Sequence, residues 1–224
     1  MGCNTVIENK TNTNVSIAGA MSNVMRKGDL SNTIKLDTIS NKKNLYGIGP
    51  NKALKGELLI NDGVSYVSKV TSDSTMLVEK TFKTSAPFFV SANVEKWTKI
   101  ELPSSIRNIE DLEKHIDKTT IDIEQPFAYK LIGQIESATI HIQNLPDKTI
   151  ISSPKDAHKG QVNYKLNNES VEIVGFFSRK HQGIFTHHDS FLHMHLITEN
   201  ENFMGHLDTI KFEKMTLLLP KYQN

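Results

Sequence analysis

The stretch Phe191-Leu-His-Met-His-Leu-Ile-Thr198, followed by Met204-Gly-His-Leu-Asp208, decides how this chain is interpreted. His193 and His195 are two residues apart, so on a β-strand both imidazoles leave the same face. The polar residues between the two segments predict a turn, and a hairpin would bring His206 beside the first two histidines. Three imidazoles that converge from two strands are typical of a catalytic zinc site, because an incomplete tetrahedral shell leaves a position for water or substrate.

The spacing alone leaves a second interpretation open. Five of the nine histidines lie between His181 and His195, and such a cluster can be a solvated surface feature that binds no metal. A His-x-His pair followed by a later histidine is a moderately specific pattern. The metal interpretation is favoured because histidine is the commonest transition-metal ligand.

Composition narrows the class of protein. The chain has 224 residues, a hydrophobic content of 38% and a mean hydropathy of −0.36, which fit a soluble globular protein with a sizeable core. Lys and Arg number 26 against 25 Asp and Glu, and no basic run interleaved with aromatic residues indicates a nucleic-acid surface. No apolar stretch approaches the length of a membrane span.

The single cysteine, Cys3, excludes an intrachain disulfide. It precedes an Asn- and Thr-rich stretch, as in a mature bacterial lipoprotein whose lipid-bearing cysteine is followed by a tether. On this interpretation Met1-Gly2 is a remnant of a processed or added end. The protein would lie in the bacterial cell envelope and meet the membrane only through that lipid. The alternative is a disordered N-terminus with an incidental cysteine, on a cytoplasmic protein.

Patterning along the chain predicts an α+β fold that is mostly β. A mixed sheet is expected, followed by a second β-rich half that carries the three-His metal site, with few short helices. Asp62-Gly63 between two apolar runs predicts a hairpin, and apolar residues at helical spacing predict a helix near residues 105–118. We therefore divide the chain into a flexible N-terminal tether, an N-terminal sheet half and a C-terminal β-rich metal-binding half, at residues 1–20, 21–122 and 123–224.

Several short motifs occur in an order that resembles the α-acetolactate decarboxylase family. Each is weak alone, but together they extend from about Leu45 to Phe212 and include most of the ordered chain. The most specific part is the His-x-His pair followed by Gly-His-x-Asp, with Gly-Glu-Leu on an early strand. The motifs are Gly56-Glu-Leu-Leu-Ile60, Asp62-Gly63, Ala86-Pro-Phe88, Phe127-Ala-Tyr-Lys-Leu-Ile-Gly133, Gly175-Phe-Phe177, His193-Met-His195 and Gly205-His-Leu-Asp208.

The resemblance implies a site and a reaction. Members of this family hold zinc on three histidines, which match His193, His195 and His206, and their active-site glutamate matches Glu57. The implied activity is that of a carboxy-lyase, which removes carbon dioxide from acetolactate or a related 2-hydroxy-3-keto acid through a zinc-stabilised enediolate. Glu57 would transfer the proton. The resemblance also implies a homodimer.

The chain departs from the family pattern at two places. An active-site arginine is expected on the strand after Gly133, and alignment from that glycine places His141 there. A histidine is a weaker substitute because its charge depends on pH. A glutamate in a C-terminal tail is also expected, and Glu199, Glu201 and Glu213 do not match it. Loss of one electrostatic stabiliser costs about 10²–10³-fold in rate, so these departures predict a weak reaction or a different substrate.

The segment from Arg179 to Ser190 is richer in basic residues than the family pattern. Arg179, His187 and His188 are therefore candidates for substrate binding, as replacements for the missing cation, and Lys130 is a further candidate. The alternative is that this segment is an ordinary solvated loop.

Two classes of function follow from the sequence. The first is a metal-dependent carbon–carbon lyase that resembles acetolactate decarboxylase and acts on a small keto-acid substrate. The second is a non-catalytic metal- or ligand-binding lipoprotein derived from the same fold, which the missing arginine and glutamate favour. A purely structural β-domain leaves the family order of the three histidines unexplained.

Overall fold

The structure is a computed structural model that describes residues 15–221. It confirms an α+β fold that is mostly β, with three short helices in the described residues. In chain order the elements are β1 (Ser16–Ala18), α1 (Met21–Lys27), β2 (Ile34–Lys35), a 3₁₀ turn (Leu36–Thr38), β3 (Leu45–Pro50), a second 3₁₀ turn (Lys52–Leu54), β4 (Glu57–Asn61), β5 (Val64–Val70), β6 (Met76–Lys80), β7 (Ser85–Ala86), β8 (Phe89–Asn93), β9 (Trp97–Glu101), α2 (Ile109–Thr119), β10 (Phe127–Ile142), α3 (Pro154–Ala157), β11 (Val162–Phe177), β12 (Leu192–Thr198) and β13 (Met204–Pro220).

The first sheet has six strands in the order β1-β8-β3-β4-β5-β6. Its β4–β5 hairpin turns at Asp62 and Gly63, whose φ angles of 48° and 78° are those of a type I′ turn. The predicted hairpin is therefore confirmed. The sequence also predicts a mixed sheet, but every pairing between the described strands is antiparallel.

The second sheet closes on itself. Its strands run in the order β10-β11-β12-β13-β9, and β10 also pairs with β13. A closed arrangement leaves fewer free strand edges and encloses a core. This core includes Phe127, Tyr129, Ile173 and Leu217, which are almost completely buried.

Helix α2 packs against the core of the second sheet. Asn108 begins it, because the side-chain Oδ1 accepts a hydrogen bond from the backbone N–H of Asp111 at 2.9 Å. Leu112 and Ile116, one turn apart, are the residues that it buries. The helix predicted near residues 105–118 is thus present, and its start lies later because Asn108 supplies the cap.

Two observations concern the division of the chain. Ser16–Ala18 pairs with Phe89–Ser91, so the prediction of a flexible tether up to residue 20 is wrong over this strand. Cys3 lies outside the described residues. Strand β9 comes from the predicted N-terminal half but pairs with β13 of the second sheet, so the sheets do not separate at residue 122.

Within residues 15–221, no helix has the length and apolar character needed to cross a membrane.

Gly175 provides a test of the packing of the second sheet. It lies opposite Tyr129 on β10, and a Cβ atom added to it would come within 2.2 Å of the tyrosine ring. We expect Gly175→Ala to lower the free energy of unfolding by about 1–3 kcal/mol, the usual cost of overpacking. Denaturant unfolding measures this. In a double-mutant cycle with Tyr129→Ala the two losses should be less than additive, and additive losses would contradict the packing described.

Candidate active site

The strand register brings four histidines together. His195 on β12 lies opposite His206 on β13, and His206 in turn lies opposite His141 on β10. His193 lies two residues before His195 on the same strand and faces the same side. The hairpin that the sequence predicts between β12 and β13 is therefore confirmed, and the closure of the sheet adds His141 as a neighbour.

The three predicted ligands have a geometry that suits one ion. Their ring centres are 5.2 Å apart for His193–His195, 5.0 Å for His193–His206 and 5.4 Å for His195–His206. Three imidazoles that share a tetrahedral zinc ion at Zn–N distances of about 2.0–2.1 Å place their ring centres about 5 Å apart. One ligand nitrogen from each residue lies within 4.8 Å of the others.

The chemistry of these imidazoles also fits a divalent cation. Nδ1 of His193 and both ring nitrogens of His195 are buried and lack a hydrogen-bond partner among the described residues. Such atoms are costly to bury unless something else binds them. Burial and the neighbouring imidazoles lower the pKa of His193, His195 and His206, that of His195 to about 3. The rings are therefore neutral at physiological pH, and neutral rings have the free lone pairs that a metal requires.

Glu57 lies in the same cavity, at the start of β4. It is only 2% exposed, and its Oε1 accepts a hydrogen bond from the backbone N–H of Gln143 at 3.1 Å. Its Oε2 lies 3.8 Å from Nε2 of His195. Burial raises the pKa of this carboxyl well above its usual range, so the protonated form of Glu57 is favoured relative to that of an exposed glutamate. The sequence-based expectation that Glu57 faces the histidines is confirmed.

The residue before Glu57 must be a glycine for local reasons. Gly56 has a φ of 119°, and a Cβ atom there would come within 2.2 Å of the carbonyl oxygen of Ser68. Its N–H donates to the carbonyl of Gln143 at 2.7 Å. This backbone contact ties the first sheet to the end of β10 and holds the carboxyl of Glu57 against the second sheet.

His141, the residue in place of the expected arginine, contacts a carboxylate and lies beside a second imidazole. Its Nδ1 lies 2.7 Å from Oδ1 of Asp208, and its ring centre is 4.6 Å from that of His206. His141, His206 and Asp208 also have ligand atoms within 4.8 Å of one another. Because Asp208 is already bonded to His141, the set of His193, His195 and His206 is the better metal site.

The loop between β11 and β12 contributes one imidazole to the centre. Nε2 of His187 lies 3.1 Å from Nε2 of His206, and burial lowers the pKa of His187. His188 lies at the rim of the same cavity, with a side chain that is 76% exposed. Of the two histidines, His187 is the one in contact with the predicted ligands.

Arg179 and Lys130 bind other parts of the protein, which corrects their assignment as substrate-binding residues. Nε of Arg179 donates to Oδ1 of Asp117 at 2.6 Å, and Nη1 donates to the carbonyl of Ile123 at 2.8 Å. Nζ of Lys130 lies 2.8 Å from Oε2 of Glu172. Neither side chain is among the described residues that line the cavity.

The sequence missed a second set of lining residues. The cavity has a volume of about 480 Å³. Its additional lining residues come from α1, from the end of β10 and from connecting segments. They include Met21, Met25, Arg26, Phe88, Gln143, His158 and Ile184. Alternation from His141 would have identified Gln143, but no local signal in the sequence places α1 over the site.

Gln143 and His158 form a polar group beside His141. Nε2 of Gln143 lies 3.0 Å from Nδ1 of His158, which also lies 2.7 Å from Oε1 of Gln161. Oε1 of Gln143 is buried and has no hydrogen-bond partner among the described residues. This oxygen can therefore accept a hydrogen bond from a hydroxyl group of a ligand.

Comparisons with known proteins identify a family and a fold for this chain. The model of the family "Alpha-acetolactate decarboxylase" matches residues 17–224. The α-acetolactate decarboxylase of Bacillus subtilis strain 168 has a similar fold, with a TM-score of 0.74 and 24% identity over 92% of this chain and 85% of that one. A Staphylococcus aureus protein of unknown function, described as similar to α-acetolactate decarboxylase, has a TM-score of 0.75 and 17% identity over the same shares. At these identities the likeness establishes the fold. No curated protein matches the chain.

Proposed function

Because this chain belongs to the alpha-acetolactate decarboxylase family, we propose that it is a metal-dependent carboxy-lyase that acts on acetolactate or a related 2-hydroxy-3-keto acid. One observation carries the proposal: a buried carboxylic acid, Glu57, shares a cavity with neutral imidazoles of the three-His set. A proton donor beside a metal site is what this decarboxylation requires.

Decarboxylation of acetolactate breaks one carbon–carbon bond and adds one proton. In acetolactate the bond between the carboxylate carbon and the hydroxyl-bearing carbon breaks, and carbon dioxide leaves. The electron pair of that bond moves toward the neighbouring ketone and gives an enediolate. A proton then adds to the former hydroxyl-bearing carbon, and the product is acetoin. When bound to His193, His195 and His206, a zinc ion would supply a Lewis acid for the negative charge that develops.

The residues of the chain would supply the remaining parts of the reaction. Glu57 holds a proton in a water-poor environment and can release it to the carbon. His141 is oriented by Asp208 and lies on the cavity wall, where its Nε2 can accept a hydrogen bond from a substrate hydroxyl. Gln143 can accept a hydrogen bond from the substrate hydroxyl through its unpaired Oε1.

The missing arginine supports a second candidate function. Arg26 is the single Arg or Lys among the described lining residues, and its side chain is exposed at the rim. A chain without a fixed cation beside the metal site lacks one electrostatic stabiliser, and the loss of such a stabiliser costs about 10²–10³-fold in rate. The alternative is therefore a protein that binds a metal or an oxygen ligand without catalysis.

A direct assay separates these functions. Purified protein loaded with zinc is incubated with racemic acetolactate, and acetoin and carbon dioxide are measured before and after removal of the metal by a chelator. We expect product formation that stops on chelation and returns when zinc is restored. Metal binding without any product would support the non-catalytic alternative.

Lipidation of Cys3, location in the cell envelope and a homodimer stay predictions from the sequence. Mass spectrometry of the native protein tests the first, and an unmodified Cys3 would contradict it. Fractionation of the producing cells tests the second. Sedimentation equilibrium tests the third, and a monomer at micromolar concentration would contradict it.

A matched pair of variants tests the loop histidines. We expect His187→Ala to lower kcat/KM by about fivefold or more, the effect of losing a hydrogen bond between neutral groups that contributes about 1 kcal/mol. His187 contacts His206, whereas the imidazole of His188 is mostly in solvent. His188→Ala should therefore stay within about twofold of the wild type. Equal effects of the two substitutions would show that the 3.1 Å contact has no role in the reaction.

A further inference from the structure

The lining of the cavity has a polar part, called the floor here, and a further set of side chains, called the outer wall. The floor carries Glu57, His141, Gln143, His193 and His206. The outer wall includes a few polar residues, among them Ser22, Arg26 and Gln182. Its apolar side chains, called the apolar wall here, are Met21, Met25, Pro50, Phe88, Pro154 and Ile184.

The volume of the cavity exceeds what acetolactate would occupy. The described residues leave a space of about 480 Å³. Cavities of about 300–1,000 Å³ are typical of ligands the size of a drug molecule. Acetolactate carries only methyl groups beside its polar centre, so a molecule bound at the floor would leave the apolar wall in contact with water.

The apolar wall is a fixed part of the fold. Helix α1 is attached to the loop below it, because the N–H groups of Met21 and Ser22 each donate to a loop carbonyl at 2.8 Å, those of Ile184 and Gly183. Its C-terminal end is closed by Gly28, which has a φ of 66°. Met21 and Met25 are four residues apart and so lie on the same face of the helix.

These two methionines suit a flexible apolar ligand. Both are partly buried and pack against a cluster that includes Val24, Leu54 and Phe88. A methionine side chain is unbranched and polarisable, and it adapts to ligands of different shape. The wall can therefore accommodate an alkyl chain of variable length without a change in the backbone.

We propose that the substrate of this protein is a 2-hydroxy-3-keto acid with an alkyl chain longer than methyl, and that the chain lies along Met21, Met25 and Phe88. The inference rests on the proposed function, since it places the hydroxy-keto group at the floor. It adds that the outer wall determines specificity. The selectivity is hydrophobic and increases with the length of the alkyl chain until the cavity is filled.

Two series of compounds test the proposal on the metal-loaded protein. The first consists of 2-hydroxy-2-methyl-3-oxo acids whose acyl chain grows by one methylene at a time from acetolactate. We expect kcat/KM to rise by about fourfold per methylene, which corresponds to about 0.8 kcal/mol for each buried CH₂. The second consists of the 2,3-dihydroxy acids of the same chain lengths, which lack the ketone, and their dissociation constants should fall by the same factor.

Binding of the dihydroxy acids can be measured even if the protein does not catalyse decarboxylation. If no compound of the first series releases carbon dioxide, the proposed function fails, while binding of the dihydroxy acids still reports on the wall. A flat or falling trend in binding would overturn the present inference whether or not acetolactate is a substrate. A preference for chains that end in a carboxylate would also overturn it and would indicate Arg26 as the specificity residue.

Substitutions in α1 test whether Met21 and Met25 cause the preference for longer alkyl chains. Met25→Trp fills the wall, so the ratio of kcat/KM for a chain longer by four methylenes to that for acetolactate should fall by about tenfold or more. Met21→Trp should act in the same direction. Lys27→Trp is the matched control because Lys27 is exposed on the same helix, and it should leave the ratio unchanged. An unchanged ratio in both methionine variants, with intact folding by circular dichroism, would contradict the proposal.

Discussion

Replacement of His195 by alanine is expected to remove the metal and with it nearly all activity. His195 is completely buried between β11 and β13, and neither of its ring nitrogens has a hydrogen-bond partner among the described residues. A bound divalent cation would be the partner of one of these two nitrogens. The loss of a Lewis acid costs several kcal/mol of transition-state stabilisation, so we expect decarboxylation to fall by about 10³-fold or more.

Metal content is the first measurement. Elemental analysis of wild-type protein should give close to one zinc ion per chain, and His195→Ala should retain about a tenth of that or less after dialysis. A thermal melt gives a second readout, because a ligand at a hundred times its dissociation constant stabilises the native state by about 2.7 kcal/mol. Added zinc should therefore raise the Tm of the wild type and leave that of His195→Ala nearly unchanged.

His188→Ala provides the control for this prediction. It removes an imidazole from the rim of the same cavity, where the side chain is exposed, and it should keep the metal and the thermal shift. If His195→Ala kept the full metal content, the alternative set of His141, His206 and Asp208 would become the metal site.

The histidine cluster could be predicted because its determinants are local. Alternation along one strand and a short turn are enough to bring His193, His195 and His206 together, and the observed register has the expected pairing. The place of His141 depends on the pairing of β10 with β13, which are far apart in sequence and whose register shifts between Thr139 and Ile140. Such a bulge re-aims side chains, and no local pattern reports it.

Arg179 and Lys130 lie away from the cavity for similar physical reasons. Arg179 was a candidate for substrate binding because it lies in a segment rich in basic residues, but the carboxylate and carbonyl of Asp117 and the carbonyl of Ile123 bind its guanidinium. Lys130 lies on β10 within reach of Glu172 on β11, a diagonal cross-strand pair. In both cases a partner distant in sequence determines where the charge lies.

Glu57→Gln is expected to separate proton transfer from metal binding. The amide has the shape of the carboxyl group and can still accept the hydrogen bond from the N–H of Gln143, so metal content and the affinity for a non-reacting dihydroxy acid should remain close to those of the wild type. The amide cannot release a proton. We therefore expect kcat for decarboxylation to fall by about 10²–10⁴-fold, the range for loss of a general acid.

The same substitution gives a test that does not depend on turnover. Burial raises the pKa of Glu57, so the native metal-free protein keeps a proton that the unfolded chain releases above its pKa of about 4.3. The contribution of Glu57 to stability therefore decreases as pH rises from there through the folded pKa. Glu57→Gln lacks this titration. In denaturant unfolding of the metal-free proteins, the variant should gain stability relative to the wild type as pH increases.

The effect of Glu57→Gln on kcat and its effect on pH-dependent stability together test the role of this carboxyl group. A bound cation lowers the pKa of a nearby carboxyl, so metal should lower the raised pKa of Glu57. The pH-dependent difference in stability between wild type and variant should then shrink when zinc is added. If Glu57→Gln kept kcat within about threefold of the wild type while the difference in stability was present, Glu57 would be a buried acid without a role in catalysis. His141, which lines the cavity and whose Nδ1 contacts Asp208, would then be the next residue to replace in the search for the proton donor.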